Sequence, residues 1–445
     1  MALSRFVIAL TIVIPEAVVA EAAHYVFVDY LSAPAPPVAP VEAAAAAVRG
    51  GINAGALERD VRVLAAPEMR GRLRGTYDNA RARAYLIERL RGAGMAPLFD
   101  GSYEQATYAE IADAARERAE AARHSTNVGA IFRADDAAAE WIVLVAHYDH
   151  LGVVSGAVHP GADDNASSVA LLLAIADSLG GSRPRLRRHV VFLFPDAEEP
   201  PDIRTDRMGS SWFWRHPPLP VTRLHLAVVL DLMGGRASPE MIAAGLADSV
   251  FVLGAEASRG LADFARAVPP SDGVVPVFLS LPMIEAMPYV PHRRFARSDY
   301  HGLREHVGRP FVFLSTGRTE TYHTAGDTPD TLDYAKLARV TGWVAVLAAQ
   351  AADARAALEW RDFVADPIAD ARSLLRMSAG VETSARFPWP LRRALAADRR
   401  TVEALLRRWE GGEAPTPESY RTLQLGSTRL QAAQWRPSGW YFALW

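Results

Sequence analysis

Five short stretches of this 445-residue chain gather side chains that can do chemistry: His147-Tyr148-Asp149-His150, Gly161-Ala162-Asp163-Asp164-Asn165, Asp196-Ala197-Glu198-Glu199, Asp231-Leu232-Met233-Gly234 and Tyr322-His323-Thr324. Imidazoles and carboxylates are the ligands that zinc and other divalent first-row ions take when no thiolate is on offer. The chain has no cysteine, so disulfides, thiolate metal sites and cysteine nucleophiles are excluded. One such stretch alone would mean little, because a lone Glu-Glu pair is usually a solvated loop. Five in series, each tied to a strand edge, point to a metal centre.

A scaffold must bring them together. Trp141 to His147, His189 to Phe194, Leu224 to Leu232 and Phe311 to Ser315 are apolar runs short enough to be buried strands. Helical patterns separate them: Asn79 to Arg91, stopped by Gly92 and Gly94; Ala166 to Leu179, with Asn165 as N-cap; and Asp333 to Leu358. This alternation predicts an α/β fold, a mainly parallel twisted sheet with helices on both faces. Four of the five stretches then fall at or just beyond the C-terminal end of a strand, and the fifth lies in the loop after the first strand. That edge is where open α/β sheets bind ligands.

The bulk numbers narrow the partners. A net charge of −3 with 22% charged residues shows no basic excess for nucleic acid. Arg81, Arg83, Arg89 and Arg91 read as a solvated helix face. The apolar run Phe6 to Ile14 after Arg5 is too short to span a bilayer but suits a signal-peptide core, with cleavage near Ala20 or Ala22. Residues 1–31 are thus read as a signal peptide or N-terminal segment, and export to the periplasm or beyond is preferred to a cytoplasmic location. Residues 32–46 form an Ala/Pro-rich linker and 47–358 the catalytic domain. Residues 359–445 form a mostly helical C-terminal extension, with Trp435, Trp440 and Trp445 expected to pack rather than bind.

The strings VAHYDHLG, GADDNAS and YHTAGDTPDTLDY resemble the co-catalytic zinc metallopeptidases of clan MH, which include aminopeptidases S and Y and the secreted bacterial leucyl aminopeptidases. The resemblance runs from about 55 to 355. It implies the zinc aminopeptidase fold, two Zn2+ per chain and a peptide substrate. It also implies that Asp164 bridges both metals, with His147 and Asp231 completing one shell and Glu199 and His323 the other. Glu198 then resembles the general base, Asp149 the carboxylate that orients His147, and Asp299 part of a supporting Ser-Asp pair. A cis peptide is implied at Asp164-Asn165.

Physical logic stands beside the resemblance. Hydrolysing a peptide bond needs a strong nucleophile at neutral pH, which a metal supplies by acidifying water. The base cannot also be a ligand, and adjacent Glu198 and Glu199 can divide the two jobs because neighbouring side chains diverge. Asp149 can reach the ring nitrogen of His147 that faces away from metal. His150 receives no ligand role, His159 reads as a solvated loop residue and Asp327 as a turn residue under the His323 loop. Two features depart from the family: nine residues, Pro200 to Met208, intervene before Gly209-Ser210, and Tyr300 follows Ser298-Asp299 where histidine is usual. Both are expected near the cleft. Because the related one-zinc glutaminyl cyclases carry an insertion at the first of these places, cyclotransfer is the alternative to peptide hydrolysis. A non-catalytic binding relative ranks third.

Overall fold

The computed structural model describes residues 26–28, 49–107, 125–137, 139–269, 273–285, 296, 298–355, 358–362 and 364–434. The signal-peptide reading, the 32–46 linker and Trp435, Trp440 and Trp445 lie outside them. No helix among the described residues is long and apolar enough to cross a membrane.

Among the described residues, nine strands form the central sheet: β1 (Ala96–Pro97), β2 (Glu104–Ala106), β3 (Thr126–Phe132), β4 (Trp141–Val145), β5 (His189–Phe194), β6 (Leu224–Leu230), β7 (Ser249–Leu253), β8 (Val275–Leu279) and β9 (Phe311–Ser315). Their order is β8-β7-β9-β6-β4-β5-β3-β1, with β2 also on β3. The four strands expected from sequence, β5-β4-β6-β9, are all parallel and lie side by side. Antiparallel pairings, β3 on β5 and β7 on β9, extend the sheet on either side, so it is mixed overall and parallel at its centre.

The period-2 alternation of strand side chains divides two cores. Ile142, Leu144, Phe192, Val228 and Leu314 enter one cluster, against helices α1 (Ala54–Leu64), α2 (Tyr77–Gly92), α3 (Ser168–Ser182) and α4 (Tyr334–Asp353). Trp141, Val143, Val191, Val229 and Phe313 enter the other, where Phe213, Trp214, Tyr300 and Leu303 cover them. Both faces are buried, and for that reason each central strand reads as a continuous apolar run.

Beyond the sheet, helices α5 (Pro367–Thr383), α6 (Trp389–Glu410) and α7 (Pro417–Gln434) enclose a third core built on Leu374, Leu395, Val402, Tyr420 and Leu423. The start of α5 latches onto the end of β8. The Ser280 N–H donates to Asp370, the Asp366 N–H to Ser280 Oγ, and Ser373 Oγ to the Phe278 carbonyl, at 2.7, 2.8 and 2.7 Å.

Candidate metal centre

The loops leaving the C-terminal ends of the parallel strands deliver the side chains. His147 lies two residues past β4, Glu198 and Glu199 follow β5, Asp231 is the first residue past β6, and His323 comes from the loop after β9. Three of these loops turn through left-handed backbone at a non-glycine residue: Ala197 (φ 60°), Leu232 (φ 57°) and His323 (φ 55°). Such conformations cost on the order of 1 kcal/mol each, and the surrounding hydrogen bonds must hold them.

Asp164 sits between two groups of ligand-competent atoms. Its Oδ1 is 3.5 Å from His147 Nε2 and its Oδ2 is 3.0 Å from His323 Nε2. On the first side, His147 Nε2 is also 3.6 Å from Asp231 Oδ1 and 3.7 Å from Glu198 Oε2. On the second, His323 Nε2 is 3.2 Å from Glu199 Oε2. The five residues expected as metal ligands are thus brought to one place, together with Glu198. Asp149 binds that place together: its two carboxylate oxygens accept the backbone N–H groups of Glu198 and Glu199 at 3.1 and 3.3 Å. Its Oδ1 is 3.6 Å from His147 Nδ1, within ion-pair range but longer than a hydrogen bond.

Three residues exceed what the sequence suggested. His150 is fully buried, and its Nδ1 lies 2.7 Å from Glu199 Oε1, so it belongs to the second group with Asp164 and Glu199. Asp327 is a buried support: Oδ1 accepts the Asp163 N–H at 2.9 Å and Oδ2 the Asp164 N–H at 3.1 Å, which aims the Asp164 loop. Arg72 is buried beneath the loops and donates to the carbonyls of Tyr148, Leu64, Pro160 and Gly161. The shared string around His150 hinted at the first, Asp327 was marked only as a turn residue under the His323 loop, and no local pattern marks Arg72. Gly161, at φ 63°, allows the arrangement, because a Cβ there would strike the Asp164 carbonyl and the His150 ring. The Asp164-Asn165 peptide is cis. His159 is half-buried in the hairpin Gly152–His159, and burial lowers its pKa, with His150 and His323 acting in the same direction.

Tyr300, expected near the cleft, lies in electrostatic range of Arg204 in the insertion. It is buried in the second core, stacked on Phe311 at 5.2 Å, and its hydroxyl donates to Glu285 at 3.1 Å. An aromatic ring beside the apolar face of β9 gains more from burial than from the cleft.

The electrostatics are those of a site made for cations. Burial pushes the Glu198 carboxyl well above its ordinary range, and Asp231, Asp299 and Glu199 add to this against the opposing pull of His147. Burial likewise raises Asp231. On the second side, burial favours neutral Glu199, yet His323 and His150 hold it well below the usual value. His323 is pushed up to about 10 by Glu199 and Asp164 although burial works the other way. Among the described residues, His147 Nε2, His150 Nε2, Glu198 Oε1 and Asp231 Oδ1 have no hydrogen-bond donor or acceptor, though all are buried. Buried polar atoms without partners are costly, and divalent ions fit them. Two groups, His147/Glu198/Asp231 and His150/Asp164/Glu199, have ligand atoms all within 4.8 Å of one another.

Residues 127–348, the span that contains this centre, match peptidase family M28. The chain belongs to peptidase family M28. Its metal-site candidates therefore sit in a metallopeptidase family whose members act on peptides. The chain is 29% identical over 222 residues to the uncharacterized protein YfbL of Escherichia coli strain K12, covering 46% of this chain and 65% of that protein, just under two thirds of its length. Among solved structures, LapB from Legionella pneumophila superposes with a TM-score of 0.53 at 18% identity, over 73% of this chain and 77% of that one. The aminopeptidase from Aneurinibacillus sp. strain AM-1 gives 0.50 at 17% identity, over 70% of this chain and 97% of its own. At these identities the likeness is one of fold: the M28 sheet and its helices, with the C-terminal helices appended.

Proposed function

We propose that this M28 member is a two-zinc aminopeptidase that removes N-terminal residues from peptides. The observation that carries the reading is Asp164, whose two oxygens face separate His/carboxylate groups while Glu198 Oε1 stays buried without a partner. His147, Asp164 and Asp231 would hold one ion. Asp164, Glu199 and His323 would hold the other, with His150 oriented by Glu199. When bound, the ions acidify a water and polarise the peptide carbonyl. The protein's own residues do the rest. Glu198, kept off the ligand set, takes the water's proton at Oε1 and passes it to the leaving amine. Asp149 fixes the Glu198-Glu199 backbone through two N–H groups, so the base and the ligand keep their separate directions. Asp327 and Arg72 hold the Asp164 loop from below.

The protein should bind close to two equivalents of zinc, release the first residue of peptides with a free N-terminus and spare acetylated ones. The insertion Pro200 to Met208 supports a second reading, cyclisation of N-terminal glutamine at a single zinc. One tightly held zinc, pyroglutamate formation and no released amino acid would decide for it. Cleavage of acetylated peptides at internal bonds would keep the hydrolase and remove the exopeptidase.

A further inference from the structure

The insertion that sets this chain apart begins directly after Glu199 and turns back toward the centre. Asp202, buried, donates its N–H to the Glu199 carbonyl at 3.1 Å and pairs with Arg207 at 2.9 Å and with Arg74, which pins the loop's first turn. The chain then passes through left-handed backbone at Arg204 (φ 62°), whose N–H is 3.1 Å from Met208 Sδ. That turn sends the Arg204 side chain inward: its Nε and Nη2 atoms are shielded from solvent, and it lies in electrostatic range of Glu198, Tyr322 and Arg318. Arg318, exposed on the loop after β9, lies within that same electrostatic range. Its guanidinium lies over the Tyr322 ring at 4.6 Å, and that ring is stacked on His323 at 3.9 Å. Two guanidinium groups therefore flank the base and a histidine of the metal centre.

We propose that Arg204 and Arg318 form a carboxylate-binding subsite beside the metal centre, selecting dipeptides by the free C-terminal carboxylate that follows the scissile amide. The proposal rests on the peptidase reading and deepens it. With the scissile carbonyl at the metals and the proton acceptor at Glu198, the leaving residue points past Glu198 toward the insertion. Consecutive residues advance by about 3.8 Å, so the carboxylate of a dipeptide's second residue ends close to the bond being cut. A planar guanidinium fork matches a carboxylate better than any other side chain does. Burial holds the Arg204 pKa below its ordinary value while Glu198 opposes this, and an anionic substrate group would offset that desolvation.

The test compares Ala-Ala with its C-terminal amide, and Ala-Asp amide with Ala-Asn amide. The zinc-loaded wild type should prefer Ala-Ala over its amide by about 10- to 100-fold in kcat/KM, the range for a charged hydrogen-bonded pair. Arg204→Gln should collapse that ratio toward one, and Arg204→Lys should keep part of it. Equal turnover of acid and amide by the wild type overturns the proposal. So does an Arg204→Gln that slows both by the same factor, since that is the behaviour of an arginine that only balances the charge of Glu198. A preference for Ala-Asp amide over Ala-Asn amide, without a preference for the C-terminal carboxylate, would assign the subsite to an acidic side chain and overturn the dipeptide assignment. If no peptide releases an amino acid and N-terminal glutamine is cyclised instead, the peptidase reading has failed. The subsite is then judged by calorimetry on zinc-loaded Glu198→Gln. Ala-Ala binding about 10- to 100-fold tighter than its amide supports the subsite, and equal binding refutes it.

Discussion

Two buried groups of carboxylates in this molecule have opposite fates. The first is the centre at the C-terminal edge of the sheet: Asp164, Glu198, Glu199 and Asp231. The second lies where the C-terminal helices latch onto β8: Glu256, Glu285, Asp366 and Asp370. In the second, every carboxylate has a donor. Glu256 accepts the Leu281 N–H at 2.8 Å, Asp366 the Ala369 N–H at 2.9 Å, Glu285 the Tyr300 hydroxyl and Arg304, and Asp370 both the Ser280 N–H and the Tyr420 hydroxyl. No histidine takes part in these contacts. In the first, histidines are the neighbours, and Glu198 and Asp231 each keep one oxygen without a donor, as Glu285 does at the latch. Burial alone does not mark a site, because both groups are buried. What separates them is what the carboxylates face: N–H and O–H donors at the latch, imidazoles and other carboxylates at the centre.

The comparison is broken most forcefully at Glu198. Glu198→Gln should lower kcat by roughly 10²–10⁴ while zinc content and fold are unchanged, because an amide of the same shape cannot accept the proton. Loss of zinc with the residual rate retained would mean that Glu198 and Glu199 have exchanged roles. Ion removal should come next. If chelation leaves only the metal-free protein, the loss is on the order of 4 kcal/mol for each ion present at a thousandfold above its Kd, read as a drop in Tm. A Tm indifferent to chelation would put the centre in the same class as the latch.

Much of the centre was legible in the sequence, and the reason is geometric. A strand buried on both faces shows as an unbroken apolar run, so its C-terminal end, and the polar stretch beyond it, can be located from the chain alone. His147, Glu198, Glu199, Asp231 and His323 all stand at such places. The flanking strands were not legible. Thr126–Phe132 carries Asn127 and Gly129 inside it, while Ser249–Leu253 and Val275–Leu279 are short and embedded among loops. Asp327, Arg72 and the His150–Glu199 contact depend on residues far apart in the chain, so no spacing rule reveals them. The latch was also illegible for this reason: a mostly helical extension over 359–445 was expected, but Asp370 reaches Ser280 across 90 residues.

Asp327 sharpens the comparison from within the centre, because it is bonded as the latch carboxylates are yet serves the metal loop. Asp327→Ala leaves the buried N–H groups of Asp163 and Asp164 without acceptors. The cost should be on the order of 3 kcal/mol, with zinc affinity falling as well, since Asp164 loses its aim. Denaturant titration with and without zinc checks this. A destabilisation with zinc affinity intact would make Asp327 a purely structural residue.

The smallest effect is expected at Asp370, and it is a matter of sign. Burial pushes its carboxyl from an ordinary 3.8 up to about 8, although the Ser280 N–H and the Tyr420 hydroxyl pull it down. Between these two values the folded protein holds a proton there and the unfolded chain does not. Unfolding therefore releases a proton, and the contribution of Asp370 to stability is fully present below about pH 4 and is lost as pH rises through about 8. An asparagine side chain in its place cannot ionise, and its single carbonyl oxygen can serve only one of the two donors. Asp370→Asn should therefore be less stable than the wild type by about 1 kcal/mol at pH 5. That deficit should vanish within about one pH unit and reverse as pH rises toward 8, because only the wild type loses stability along the way, by about 1.4 kcal/mol per pH unit. Urea titrations at half-unit intervals from pH 5 to 8.5 would show it, and taking the difference between the two proteins cancels the other buried acids. A difference that stays constant across the range would mean that Asp370 is ionised throughout, held by its two donors and not by a proton.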